Sequence, residues 1–192
     1  MRLKLRKAQA RAGDIVLLFC DESEALTHPY LARAWAKRGA DLRVPAPGQA
    51  KKVAMMGSLD WGRRKLIVTT SRTKRSSDFL AHLEALDHLS GPKPGTAARP
   101  VVIVLDNGPV HTSKASRAAL ADRAHWLTVG WLPKYAPELN DIEVVWGDLK
   151  ANHLAHQTFM NPDILDQAIH HAVAALNSGR NRDPLAKQRN SA

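Results

Sequence analysis

Three acidic residues stand out by where they fall in the chain. Asp21 follows the apolar run IVLLFC, Asp106 follows VVIVL, and Glu143 lies within ELNDIEVVWGDLK. A carboxylate at the end of an apolar strand is costly to bury unless it is paired, hydrogen-bonded or bound to a cation. In an α/β sheet such positions open on the crevice at the carboxyl ends of the strands, where ligands bind. Taken singly, either aspartate reads better as the cap of a turn. Taken together, on two buried runs, they are expected to converge. In the third segment Leu139, Ile142, Val145 or Trp146, and Leu149 recur at helical spacing, and Glu143 sits beside that stripe, aimed at the sheet edge. Glu138, Asp141 and Asp148 fall further round and read as solvated charges. Two or three hard oxygen donors with room for water are how Mg²⁺ is held beside a phosphate. Two such ions about 4 Å apart can activate an attacking oxygen and stabilise the departing one.

The elements that must position these carboxylates follow from periodicity. Residues 14–21 and 99–107 are apolar on successive positions, the pattern of strands buried on both faces. KKVAMMGSLDW and RRKLIVTTS read as two strands of a hairpin joined across Asp60, Trp61 and Gly62. A short helix or turn is expected around Pro29 to Lys37. A helix is expected over 76–89, capped by Ser76 or Ser77, with Phe79, Leu80, Leu83, Leu86 and Leu89 on one face. A loop at GPKPGTAARP, a helix near Ser113 to Ala124, a short strand over 126–133, a helix from Pro137 to His153 and a last helix from Asn161 to Asn177 complete the order. This is an α/β order with a mixed five-stranded sheet flanked by helices, and it fits a ribonuclease H-like fold.

A chain of 192 residues is the size of one domain. We expect a basic tail over 1–13, a catalytic domain over 14–178 and a basic, disordered tail over 179–192. No apolar run approaches the roughly 18 residues of a membrane span, and the basic start lacks the apolar stretch of a secretory signal, so a cytoplasmic place beside the nucleoid is expected. The single cysteine, Cys20, lies in a buried run and reads as core. Lys and Arg number 28 against 18 acids, for a net charge of +10. Much of the excess sits at the ends, in Arg2, Lys4, Arg6, Lys7 and Arg11 and in Arg180, Arg182, Lys187 and Arg189, with internal clusters at Arg63 to Lys65 and Arg72 to Arg75. Basic ends alone are as consistent with solvated tails; with the internal clusters, nucleic acid becomes the leading partner.

The local sequences carry a resemblance as well. FCDES at 19–23, RAWAKRG at 33–39, LDNGPVHTSK at 105–114 and LPKYAPELNDIEVVWGDLK at 132–150 resemble the motifs of mariner-like DDE transposases, in their bacterial insertion-sequence branch. The resemblance spans about residues 14–155, and the stretch between Asp106 and Glu143 is close to the spacing that family uses. It implies that Asp21, Asp106 and Glu143 bind catalytic divalent metal, two Mg²⁺ or Mn²⁺ ions, and that the chain cleaves double-stranded DNA and transfers the strand to target DNA, usually at TA. It implies that Asn107 and His111 orient the loop or touch DNA phosphate, with Lys114 beside them, and that a homodimer forms on paired ends. Without the resemblance, Asn107 reads as a turn former and His111 as a helix-start residue. Trp146 reads first as core, and Tyr135 as a packed loop aromatic before a base-stacking one.

Two departures from the family pattern are Asp141, where proline is usual, and Gly147, where a bulkier residue is. The residues before the first strand are too few for the helix-turn-helix that reads element ends. The expectation is therefore the catalytic half of a split transposase, partnered by a helix-turn-helix polypeptide from an upstream frame, or a truncated element. The alternatives are a domesticated DNA-binding remnant without activity, and a ribonuclease H-like nuclease that is not a transposase.

Overall fold

The computed structural model describes residues 2–33, 35–46, 48–95 and 99–182. The elements run α1 (Leu3–Ala12), β1 (Val16–Leu26), β2 (Lys52–Asp60), β3 (Lys65–Ser71), α2 (Ser76–Ser90), β4 (Val101–Leu105), α3 (Pro109–Thr112), α4 (Lys114–Asp122), β5 (Leu127–Trp131), α5 (Ile142–Asp148) and α6 (Pro162–Arg182). A 3-10 turn at Pro137–Leu139 precedes α5 and a π-helical turn at Leu149–His153 follows it.

The five strands form one mixed sheet in the order β3-β2-β1-β4-β5. β1, β2 and β3 are successively antiparallel, while β4 and β5 run parallel to β1. Side chains alternate across the sheet. On β1, Leu17 and Phe19 enter one core with Val102, Val104, Trp146, Leu165 and Ile169, on the face that α5 and α6 cover. Leu18 and Cys20 enter the other with Ile103, Phe79, Leu83 and Leu120, beneath α2 and α4. Burial on both faces is why the central strands are apolar at every position. The mixed sheet flanked by helices matches the expected fold class.

Several boundaries differ from the sequence reading. The N-terminal stretch expected as a tail is helix α1, ended by Gly13 at φ 83 with its N–H on Ala10 O. Leu3, Lys7 and Ala10 share one face; Ala10 is buried, and the Lys7 ammonium lies 5.4 Å from the Phe19 ring centre and 5.6 Å from that of Trp61. No helix forms at 29–33 or 35–37, where Leu31 and Trp35 lie exposed and give a helix no apolar face to bury. α2 is capped by Arg75, not Ser76 or Ser77, because the Asp78 carboxylate reaches back to accept the Arg75 N–H at 2.7 Å. Its face is buried at Phe79, Leu83 and Leu86, but Leu89 is exposed. α6 starts after Asn161, whose side chain accepts the Asp163 and Ile164 N–H groups, and continues through residue 182. The remainder of the expected C-terminal tail lies outside the described residues. Among the described residues, no helix is long and apolar enough to cross a membrane.

Candidate active site

Asp21 does not end its strand. β1 continues to Leu26, but its pairing with β4 stops at Phe19↔Val104, and from there only β2 accompanies it. The apolar run marked the doubly flanked part of the strand, and beyond it the pattern alternates. Asp21 thus stands just past the end of β4, whose next residue is Asp106. By alternation it shares the face of Leu17 and Phe19, towards α5.

Across the ladder Asp21 pairs with Gly57. The missing side chain there is occupied by Trp146: a Cβ on Gly57 would lie 2.4 and 2.5 Å from two atoms of its indole ring. This close approach lets α5 lie against the sheet, with Ile142, Val145 and Trp146 buried. Glu143, in the first turn of α5, is left exposed beside that buried stripe.

The three carboxylates share one electrostatic field. Burial pushes the Asp21 carboxyl up to about 7, and the negative charges of Glu22, Glu143 and Asp106 push the same way, against a hydrogen bond from the Glu22 N–H. Asp106 is held below the usual carboxylate range, chiefly by His111, whose Nδ1 lies 2.7 Å from Asp106 Oδ1, and also by the Gly108 N–H at 2.9 Å. His111 is fully buried and meets Phe79 edge to face. Burial opposes its charge, yet the bond to Asp106 and the proximity of Cys20 and Glu22 carry it up to about 10. Its Nε2 lies 3.5 Å from Glu22 Oε2, an ion-pair contact too poorly formed to count as a hydrogen bond for either atom.

Asn107 donates from Nδ2 to the Leu132 carbonyl at 2.7 Å and so ties the loop after β4 to the end of β5. Lys114 opens α4 with its side chain exposed. Tyr135 is almost fully exposed, on a backbone at φ 58, and so is not the packed loop aromatic expected. Trp146 is core, as expected.

Among the described residues, no three His, Cys, Asp or Glu side chains are drawn together closely enough to form a ready cage for a metal ion. The donors nevertheless suit a hard divalent cation in kind and charge. They are all carboxylate oxygens, and the neighbouring negative charge that disfavours ionised Asp21 is what a cation would relieve. Sequence reasoning missed Asn140, which is 3% exposed and donates from Nδ2 to Asp21 Oδ2 at 3.1 Å. It stood inside the motif at 132–150, but nothing in the sequence says that its side chain turns back to the first carboxylate.

A family model described as the DDE superfamily endonuclease matches residues 16–166. A relative from Shigella sonnei, the insertion element IS630 uncharacterized 39 kDa protein, is 26% identical over 126 residues, covering 66% of this chain and 35% of its own length. The chain thus spans about a third of that relative. Among solved structures, the Mos1 transposase paired-end complex with left transposon end aligns at a TM-score of 0.58 and 17% identity, over 96% of this chain and 58% of that one. The simian T-cell lymphotropic virus intasome aligns at 0.57 and 18%, over 82% and 46%. At such identities the likeness is one of fold, and it is the ribonuclease H-like arrangement of transposase and integrase catalytic domains.

Proposed function

Because the chain belongs to the DDE superfamily endonucleases, we propose that it is the catalytic domain of an insertion-sequence transposase, which cleaves double-stranded DNA at element ends and joins the freed 3′ hydroxyl to target DNA. The observation that carries this reading is the position of Asp21, one strand away from Asp106 beyond the end of β4 and within the field of Asp106 and Glu143.

In this reading Asp21, Asp106 and Glu143 hold Mg²⁺ or Mn²⁺, as two ions. Bound there, such ions supply activation of the attacking oxygen and neutralisation of charge at the phosphorus. The work of the protein is placement. His111 and the Gly108 N–H fix one oxygen of Asp106, leaving the other free to face substrate. Asn107 holds the loop that carries Asp106, and Gly57 with Trp146 sets the height of Glu143 above the sheet. Lys114 and the other exposed basic side chains meet the phosphate backbone, consistent with a net charge of +10. The domain works as a homodimer on paired ends, with a helix-turn-helix polypeptide to read the terminal sequence, in the cytoplasm beside the nucleoid.

The test is strand scission. Supercoiled duplex DNA should be nicked in Mg²⁺ or Mn²⁺ and left intact with chelator or by Asp106→Ala. DNA binding that persists through substitution of all three carboxylates, with no scission by the unsubstituted chain in either metal, would replace this reading with that of an inactive DNA-binding remnant.

A further inference from the structure

Asn140 joins the Asp21 carboxylate to the backbone of Glu143. It lies in the turn between Pro137–Leu139 and α5, and each of its polar groups but one is engaged. Its N–H donates to the Pro137 carbonyl at 2.9 Å, and its own carbonyl accepts the Glu143 N–H at 3.1 Å. Its Nδ2 donates to Asp21 Oδ2 at 3.1 Å, across 119 positions of sequence. The exception is Oδ1, which is buried and has no hydrogen-bond partner among the described residues.

The orientation of the amide follows from chemistry. Ionised, as cation binding requires, Asp21 only accepts hydrogen bonds, so the NH₂ end faces it and the carbonyl oxygen faces away. A buried carbonyl oxygen without a donor is destabilising. An apolar residue of similar volume would avoid that cost, so the fold alone does not call for an amide here. What the amide adds is the Nδ2 donor on Asp21.

We propose that Asn140 is a positioning residue for the reaction assigned above: it fixes the orientation of Asp21 relative to the first turn of α5. The inference rests on the proposed phosphoryl-transfer function, but part of its test does not. Its backbone bond to Glu143 survives any side-chain change, so substitution isolates the amide.

The experiment compares the full chain with Asn140→Leu, Asn140→Ser and Asn140→Asp. Mn²⁺ affinity is read by electron paramagnetic resonance of the free ion, and nicking by kcat and KM for DNA. Loss of a hydrogen bond to a metal-binding carboxylate typically weakens metal affinity 10- to 100-fold. We expect Asn140→Leu to keep its thermal midpoint, to bind Mn²⁺ at least tenfold more weakly, and to lose kcat with KM for DNA unchanged, because a buried amide touches no phosphate. Asn140→Ser should show the same pattern should the leucine variant fail to fold. Unchanged Mn²⁺ affinity and kcat in both would overturn the proposal. Tighter Mn²⁺ binding by Asn140→Asp would also overturn it, showing Oδ1 to be a direct metal ligand. Should the unsubstituted chain never nick DNA, the proposed function fails, while the difference in Mn²⁺ affinity still decides the role of Asn140 toward Asp21.

Discussion

Lys7 Nζ lies 2.7 Å from Asp141 Oδ2, joining the first helix of the chain to the residue that opens α5. The same carboxylate accepts the indole N–H of Trp61 at 2.7 Å. Asp141 therefore does not read as the solvated charge that helical spacing suggests. Its charge, two residues from Glu143, is compensated by Lys7, and the departure from the usual proline gains a structural meaning: it holds α1 against the sheet. Both partners remain about 30% exposed, so the ion pair itself is screened.

Replacing Asp141 should accordingly loosen α1 without unfolding the domain. Asp141→Ala removes two hydrogen bonds and leaves the part-buried Trp61 N–H unmatched, for a cost of about 1–2 kcal/mol. Asp141→Asn retains an acceptor for Trp61 and should lose less. Limited proteolysis within residues 3–12 checks this, with cleavage faster in Asp141→Ala; equal protection in all three proteins would show that α1 is held by packing alone.

Gly147 offers the opposite outcome. It lies within α5 with nothing within 4 Å of where a Cβ would stand. Glycine in a helix interior costs about 1 kcal/mol relative to alanine. Gly147→Ala should raise the urea unfolding free energy by about that amount, as a higher midpoint with the slope unchanged. A lower midpoint would mean that the π-helical turn beginning at Leu149 depends on flexibility at Gly147.

How much of this was legible in sequence depends on whether the signal was local. The strands β1 and β4 were visible because burial on both faces makes every position apolar, and Asp21 and Asp106 were visible because they interrupt those runs. Helix α1 was not, since its charge suggests a tail and its docking depends on Phe19, Trp61 and Asp141, which only the fold brings to Lys7. The segment after Pro137 reads as one helix by spacing, yet it breaks at Asn140 into a 3-10 turn and α5. Asn140 itself belongs to the site through a contact spanning 119 positions, beyond the reach of any periodicity. His111 was flagged by position, but its bond to Asp106 required the turn at Gly108 to be seen.

A second buried histidine sets an acid limit on stability. His82 is fully buried, with Nε2 2.8 Å from Ser58 Oγ and Nδ1 3.0 Å from Thr69 Oγ1. Burial, aided by the positive charge of His111, pushes it down from 6.5 to about 4. The unfolded chain therefore takes up this proton first as pH falls. The stability that His82 contributes is full above about pH 6.5, declines between 6.5 and 4, and is level below, a loss on the order of 3 kcal/mol from this group. His82→Gln, which can both donate and accept, should flatten the decline in urea unfolding free energy between pH 7 and 4.5. A variant whose decline parallels that of the unsubstituted chain would place the acid sensitivity elsewhere.

Gly57 and Trp146 make the most direct link between packing and the carboxylate cluster. A Cβ at position 57 would press to 2.4 Å from Trp146 Cη2 and 2.5 Å from Cζ2, so Gly57→Ala must displace the ring and with it α5, which carries Glu143. Such overpacking typically costs 1–3 kcal/mol, and nicking should fall further than stability explains, since Glu143 would rise away from Asp21. Trp146→Phe removes both clashing atoms, because the shorter ring lacks the far edge of the indole, at the expense of a cavity. The two substitutions should therefore couple: the double variant should be more stable than the sum of the single effects predicts, by at least 0.5 kcal/mol in a double-mutant cycle. Its nicking should recover relative to Gly57→Ala. Additive effects would show that α5 yields to the new methyl group without moving Glu143, and that the height of the helix above the sheet does not set the geometry of the carboxylates.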